Sequence, residues 1–401
     1  MNLILFDSHR NRENLLPLSF TRPVADMRIG ILTIREKWEK FLSTKSFSLT
    51  EEYLQTKFHA YKGSEGALFV NGSILPGAGL IAAIQKLGAL QSLHGSGQLI
   101  AFKAETHHIN LQNLEGISKG YSQVEYKEKF LSIQYPWDIF LLNGDALKAD
   151  FQLLTNGRKS QPLSNTNRLL GPADQLFMEE GAKVECCILN VSTGPIYIGK
   201  DSEVMEGCII RGPFSIGEHA TLKMAAKVYG PTTIGPHCKA GGEISNSVMF
   251  GYSNKGHDGF IGNTVIGEWC NLGADTNTSN LKNNYGIVDV FNYHESGPVD
   301  TGLTFCGLIM GDHSKSGINT MFNTGTLVGV SANIYGGDFP PKFIPSFSWG
   351  GAKGFQTFAF EKSLQVADRM MERRGIRLEE ADKKILKTVF VMEEKHRKDY
   401  K

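Results

Sequence analysis

The sequence predicts an α/β head, a parallel β-helix behind it and helices at the end of the chain. Three observations carry that prediction. Starting at Ile198, a step of six residues meets Val204, Ile210, Ile216, Leu222, Val228 and Ile234, so seven consecutive positions are aliphatic. Between residues 1 and 155, short aliphatic runs alternate with stretches of helical periodicity. Beyond residue 345 the six-residue pattern stops, and charged segments with apolar residues at helical spacing take over.

The period of six decides the central region. An amphipathic helix repeats near 3.6 residues and an ordinary strand at 2, so neither accounts for it. A short strand and a turn use six residues, and three such units close a triangular coil. Its aliphatic residue points inward and stacks on its equivalent in the next coil. Glycine follows many of these positions, as at Gly199, Gly217, Gly235, Gly267, Gly273, Gly311 and Gly329, which suits a tight corner. After Ala240 the phase breaks. It resumes at Phe260, Ile266 and Leu272, and again at Met310, Ser316, Phe322, Val328 and Ile334. The interruptions, residues 246–259 and 277–302, read as long loops, where a solenoid usually carries its chemistry.

In the head, residues 3–6 read as a buried strand and 29–42 as an amphipathic helix with Trp38 and Phe41 on its apolar side. Residues 67–71 read as a strand, 80–90 as a helix, and 98–103 and 123–133 as further strands, the alternation of a layered sheet with helices. Residues 137–154 have helical spacing, the polar stretch 155–167 reads as a linker, and 171–185 as the strand that leads into the coils. The expected domains are therefore 1–155, 156–345 and 346–401. The last holds two short helices separated by Gly375, with Leu364, Val366, Ala367, Met370 and Met371 on the first and Ile385, Leu386, Val389 and Phe390 on the second. Both are expected to pack on the outside of the prism.

Composition narrows the partners. The 401 residues carry a net charge of +1, with 21% charged and 41% hydrophobic residues, which gives neither nucleic acid nor a membrane as a main partner. No apolar run approaches the ~20 residues of a membrane span. The N-terminus has its charges after a short apolar run, the reverse of a secretory signal. The six cysteines, Cys186, Cys187, Cys208, Cys238, Cys270 and Cys306, form no CxxC pair. This reads as a reduced, cytoplasmic protein without structural zinc.

The stretch 254–285, NKGHDGFIGNTVIGEWCNLGADTNTSNLKNNY, holds the candidate chemistry. His257 lies where the phase is interrupted, and a neutral imidazole there can take the proton of an amine attacking a thioester. A lone histidine more often only hydrogen-bonds its own loop. Here Asn271, Asn277, Asn280, Asn283 and Asn284 crowd the following coil, offering the donors and acceptors that sugar hydroxyls need, and Lys282 adds a cation for a phosphate. Some of these asparagines serve as corner residues, since Asn tolerates left-handed backbone.

This stretch resembles the acetyltransferase half of the bifunctional GlmU-type enzymes, and more closely the GlmU-like proteins with a shorter, divergent head. The likeness rests on Gly256-His257, Phe260, Ile261-Gly262, Asn263, Leu272-Gly273-Ala274 and Asn280. It implies a left-handed β-helix that uses acetyl-CoA to acylate an amino-sugar phosphate such as glucosamine 1-phosphate. It also implies a homotrimer with sites at the subunit clefts. By the same resemblance the catalytic base falls on His257, acceptor binding on Asn271 and Asn280 with Lys282 and Lys255 beside them, and the CoA contact on Gly273 and Ala274. The family places an Arg and a Lys one to two coils before the histidine; here those stretches read PHCKAGG and ISNSVMF, with Lys239 the nearest cation.

Residues 15–38 are similar to the phosphate-binding segment of sugar nucleotidyltransferases, through Pro17, Leu18, Thr21, Arg22, Pro23 and Gly30. The glycine-rich loop that should precede them is replaced by DSHRNREN, Val24 stands where the family has Lys, and Gly72-Ser73 stands where it has Gly-Asp. The phosphate-binding candidates are then Arg10, Arg22 and Arg28, with Arg12 nearby. Asp7 and Asp26 are the alternative ligands if Mg²⁺ acts in this domain. Gly144-Asp145 lies in a helical pattern and reads as structural. Three functions follow: the acyltransferase, a sugar-1-phosphate nucleotidyltransferase (UTP or dTTP) with the coils as a trimerisation scaffold, or a non-catalytic head that binds a sugar nucleotide.

Overall fold

A computed structural model describes residues 2–63, 65–105 and 109–398. It has the expected α/β head, parallel β-helix and C-terminal helices. The chain forms two compact units, Met1–Met27 with Leu32–Tyr135, and Arg28–Ile31 with Pro136–Lys401.

The first unit is built on a six-stranded sheet in the order Ser46–Leu49, Asn2–Phe6, Ala67–Asn71, Gln98–Ala104, Gln91–Gly95, Ser122–Glu125. The first three strands are parallel, and Gln98–Ala104 runs antiparallel to both its neighbours. Phe69 and Phe102 stack face to face at 4.8 Å in its core, beside Ile4 and Phe6. The expected helix at 29–42 starts later, at Ile34, where Thr33 and Glu36 form a reciprocal cap. Trp38 is buried and donates to the Ile74 carbonyl at 2.8 Å, but Phe41 is 37% exposed, so only the first belongs to the core. The helix expected at 80–90 is Ala78–Gln85, and of 123–133 only the beginning is strand, Ser122–Glu125.

The second unit is a three-sided coil. One face stacks Arg168–Leu170, Ile188–Asn190, Ile209–Arg211, Lys227–Tyr229, Glu243–Ser245 and Phe260–Gly262; the second runs from Leu176–Met178 to Phe343–Ile344, and the third from Lys183–Val184 to Gly354–Thr357. Inward residues stack along each face, as Ile210 on Val228, Ile216 on Ile234 and Val204 on Leu222, in one continuous core. Corner residues recur in the left-handed region, among them Asp201, His219, His237, Tyr252, Trp269 and His313. That recurrence reflects the corner geometry rather than local strain at one site.

Two expectations about the coil change. Residues 246–259 are not a loop: Val248–Met249 and Asn254–Lys255 continue the second and third faces. The phase breaks because this coil is three residues shorter, with Thr233 opposite Val248 where Ser215 lies opposite Thr233. Phe260 is consequently not inward; Ile261 takes that place, opposite Ile244. The true excursion follows Asn277–Thr278, carries the hairpin Asp289–Asn292 with Gly297–Asp300, and returns at Ile309.

The helix Asp138–Thr155 belongs to the second unit, although it precedes residue 155. Asn143 accepts from the Gly30 N–H at 2.7 Å and donates to the Pro231 carbonyl at 3.2 Å, and Asp150 accepts from the Ile31 N–H at 2.8 Å. Gly144 faces Pro231, which a Cβ would approach to 2.9 Å. At the other end, helices Phe360–Glu372, Glu380–Met392 and Glu394–Lys398 follow the coils. Glu393 accepts from the Ser346 N–H and Arg397 donates to the Ser346 carbonyl, closing the exposed backbone of the last coil. The last three residues of the expected helical run lie outside the described residues.

Candidate active site

His257 stands at the corner between the third and the first face, after Asn254–Lys255 and before Phe260–Gly262. Its side chain is exposed and, among the described residues, has no hydrogen-bond partner. The turn beneath it is tightly held. Lys255 occupies an inward position of the third face, opposite Ala240, and is completely buried. Its ammonium donates to the His257 carbonyl at 2.6 Å and the Asp258 carbonyl at 2.8 Å. Burial pulls this lysine down to about 8, opposed by the nearby Asp258 and Asp275. Asp275 in the next coil donates its N–H to the Asp258 carbonyl at 3.0 Å. Lys255 was expected at the acceptor; it lies instead inside the prism, because the short coil turns this position inward next to the small Ala240.

The other candidates divide between two corners and a loop. Gly273 and Ala274 lie at the His257 corner one coil on. A Cβ on Gly273 would meet the Gly317 backbone at 2.4 Å, so the glycine is required by stacking, and the Ala274 carbonyl accepts from the Asn319 N–H at 2.8 Å. Asn271 is on the third face, 3.5 Å from Asn254. Asn280 lies at the far end of the first face, donating to Asn263 at 2.9 Å, while Asn277 accepts from the Phe260 N–H at 2.8 Å. Lys282 is in the excursion, where it donates to the Ile287 carbonyl and pairs with Asp289 at 3.1 Å.

The sequence reading passed over a polar strip on the outside of the first face. Lys227 pairs with Glu243 at 3.6 Å, and Tyr229 donates to Glu243 at 2.6 Å, which pushes its phenol up to about 12. Glu243 is the register partner of Phe260, so the strip adjoins the His257 side of the prism. The alternation of outward polar and inward aliphatic residues in Lys227–Tyr229 was the available signal.

In the head the candidates are engaged with one another. Asp7 ends the first strand, where ligands of open α/β sheets gather. It is buried and accepts from the Val24 N–H at 2.9 Å, Thr50 Oγ1 at 2.5 Å and Arg12 at 3.5 Å. Burial raises its pKa, opposed by Arg12. Asp26 is held by both arms of Arg35, at 2.8 and 2.7 Å. Arg22 is buried and Arg10 is exposed. Arg28 belongs to the second unit, where it donates to the Phe250 carbonyl at 2.9 Å and to the Ile31 carbonyl, so it is a structural tie. Asp7 and Asp26 thus do not form an open carboxylate pair for Mg²⁺, and among the described residues no cluster of three or more His, Cys, Asp or Glu side chains is placed to hold a metal. The described cysteines are all free, and no described helix is long and apolar enough to cross a membrane.

Residues 3–159 match the family of sugar nucleotidyl transferases. A bifunctional sugar-1-phosphate nucleotidylyltransferase/acetyltransferase of Sulfurisphaera tokodaii is 30% identical over 216 residues, 53% of this chain and 47% of that protein. The bifunctional protein GlmU of Methanococcus maripaludis is 34% identical over 94 residues, 23% of this chain and 22% of that protein, and the GlmU of Methanocaldococcus jannaschii is 34% identical over 92 residues, with the same coverage. The chain therefore spans from about a fifth to about half of the length of these curated relatives. A solved Arabidopsis UDP-N-acetylglucosamine acyltransferase aligns with 53% of this chain and 77% of its own at 14% identity and a TM-score of 0.21, a likeness too slight to bear on the fold. Over these parts of its length the chain is similar to sugar nucleotidyl transferases and to bifunctional GlmU proteins.

Proposed function

We propose that the coiled unit is an acetyl-CoA-dependent N-acyltransferase acting on an amino-sugar phosphate of the glucosamine 1-phosphate kind. The observation that carries this reading is the exposed imidazole of His257, without a hydrogen-bond partner among the described residues, on a turn pinned from inside by Lys255. The acceptor amine attacks the thioester carbonyl carbon, His257 takes the amine proton, the carbon–sulfur bond breaks, and the proton passes to the departing thiolate. The polar strip of Lys227, Tyr229 and Glu243 lies on the side from which a sugar phosphate approaches, with Asn280 at its far end; Gly273 and Ala274 lie on the donor side. The working form is a cytoplasmic homotrimer with the sites at subunit clefts. Incubating the protein with acetyl-CoA and a panel of amino-sugar phosphates, with free thiol as the readout, tests the reaction; no thiol release with any acceptor removes it. A monomer by light scattering at micromolar concentration removes the shared cleft.

The match of residues 3–159 to sugar nucleotidyl transferases favours a second reading, transfer of a nucleotidyl group from UTP or dTTP to a sugar 1-phosphate by the head. Of the expected phosphate contacts, Arg10 is the one presented at the surface of that unit. Pyrophosphate exchange by the full-length protein, with and without Mg²⁺, separates this from a head that only binds a sugar nucleotide. Exchange supports the second reading; binding without exchange supports a regulatory head.

A further inference from the structure

A second basic site lies on the third face of the prism, under the helix Phe360–Glu372. A cavity of about 400 Å³ opens between them, within the size range of small-molecule sites. Five cations line it: Lys239 and Lys315 from the coils, Arg369, Arg373 and Arg374 from the helix and the turn after it. Among the described residues no carboxylate lines it, and Lys239, Arg369 and Arg373 have no acidic partner. Lys315 donates only to the His313 carbonyl at 2.8 Å, and Arg374 only to Asn254 at 3.3 Å, both neutral acceptors. The positive charges act on one another: besides burial, Arg374, Lys223 and Arg373 lower the pKa of Lys239. Glu218 acts on His237 and, with Glu268, on Tyr252 of the cavity wall, but neither carboxylate lines the cavity.

The remaining groups point the same way. Tyr252 and Trp269 contribute to the wall, and neither the phenol hydroxyl nor the indole N–H has a partner among the described residues. Their rings are packed face to face at 4.2 Å within a stack that runs from His219 through His237 to His313, which fixes the direction of both polar edges. The wall therefore presents donors and positive charge, with Lys239, Arg369 and Arg373 exposed and Lys315 pulled down to about 8 by burial. Five cations without counter-charge exceed what one carboxylate or a single monoanion would balance, and guanidinium groups match the oxygen geometry of phosphate.

We propose that this cavity binds a small molecule carrying a diphosphate or longer phosphate chain. Such a group comes either from the acyl donor, whose nucleotide end carries a diphosphate, or from a free nucleoside triphosphate. Asn254 at the cavity begins the short strand Asn254–Lys255, which leads straight into the turn that carries His257. A donor anchored by its phosphates thus has its reactive arm directed along the third face toward the His257 corner. The binding itself does not depend on His257 being the catalytic base.

Calorimetry on the full-length protein, with inorganic pyrophosphate, CoA and UTP as separate titrants, tests the site. Pyrophosphate should bind saturably and more weakly as salt rises. The variant Lys239→Ala with Arg373→Ala alters two exposed side chains, so its melting temperature should stay unchanged while pyrophosphate affinity falls about tenfold or more. CoA bound more tightly than UTP, and lost in the same variant, assigns the site to the acyl donor; the reverse order assigns it to a free nucleotide. Absence of saturable pyrophosphate binding, or equal affinity in wild type and variant, overturns the proposal. Thiol release from acetyl-CoA is measured separately, so failure of the acyltransferase reading and failure of this site remain distinguishable.

Discussion

The head and the coils use their buried charges in opposite ways. In the head, Asp7 faces Arg12, Thr50 and the Val24 amide, and Asp26 is clasped by Arg35, so the charged groups satisfy one another. In the coils, a buried lysine donates to two backbone carbonyls, and the side chain above them, His257, has no partner among the described residues. The first arrangement stabilises a structure; the second fixes a turn while leaving an imidazole available for the proposed proton transfer. That difference is why the acyltransferase reading is stronger than one that begins from the head, even though residues 3–159 carry the family match.

The most direct way to break the comparison is His257→Ala. A general base contributes about 10²- to 10⁴-fold to rate, or roughly 3–5 kcal/mol of barrier. The expected outcome is a fall in kcat of that order, with CoA affinity and assembly state unchanged because the side chain is exposed and has no hydrogen-bond partner among the described residues. A variant keeping more than about half of the activity would make the corner structural.

Much of the fold was legible because a six-residue repeat leaves the same residue type at the same place many times over. The site was legible only in part. Stepping by six from Ile234 reaches Ala240, and one further coil of ordinary length would place Asp258, not Lys255, inward. The coil is three residues short, so the fixed step loses the register where the chemistry lies, and the buried lysine reads as a surface cation. Arg28 was misread for another reason: its neighbours in sequence belong to a phosphate-binding pattern, while its hydrogen bonds go to carbonyls at Ile31 and Phe250, the latter more than two hundred residues away. No local pattern reports a contact at that separation.

Lys255→Met is the next largest test, since it keeps the volume of the inward side chain and removes its two donors. The His257 carbonyl loses its donor, the Asp258 carbonyl keeps only the Asp275 N–H, and the His257 turn loosens, so kcat should fall about 10- to 100-fold with little change in acetyl-CoA KM. The pH dependence of stability sharpens this. Burial holds Lys255 near 8 in the folded protein, against an ordinary value of 10.5. Between those values the unfolded chain binds more protons than the native one, so native stability gains from this residue as pH rises through the window. The melting temperature of wild type minus that of Lys255→Met should therefore increase between about pH 8 and 10. A difference that shrinks over that range would mean the ammonium is stabilised, not strained, by its site.

Asp26→Asn tests the other side of the comparison. If the Asp26–Arg35 pair is structural, the substitution should cost about 1–2 kcal/mol of stability in denaturant unfolding, less than a fully buried pair because both side chains retain some exposure and Arg35 keeps Ser46 and Ser48. Any pyrophosphate exchange should keep its Mg²⁺ dependence. Loss of Mg²⁺ dependence without loss of stability would show that Asp26 leaves Arg35 to hold a metal.

The smallest effect is expected at Asn280. Its amide donates to Asn263 at 2.9 Å, and a Cβ on Gly262 would come within 2.7 Å of its nitrogen, so the side chain is confined to the surface at the far end of the first face. From there it can meet a sugar hydroxyl, but the side Phe260–Gly262 separates it from the His257 corner, where the proposed reaction takes place. A neutral hydrogen bond contributes about 0.5–1.5 kcal/mol, and one made equally to bound substrate and transition state appears in KM alone. Asn280→Ala should therefore raise the acceptor KM several-fold, leave kcat within about twofold and leave the acetyl-CoA KM unchanged. A fall in kcat as large as that of His257→Ala would place Asn280 at the reacting centre, and the two corners of the first face would then have to close on one substrate. An unchanged acceptor KM would confine its role to holding Asn263.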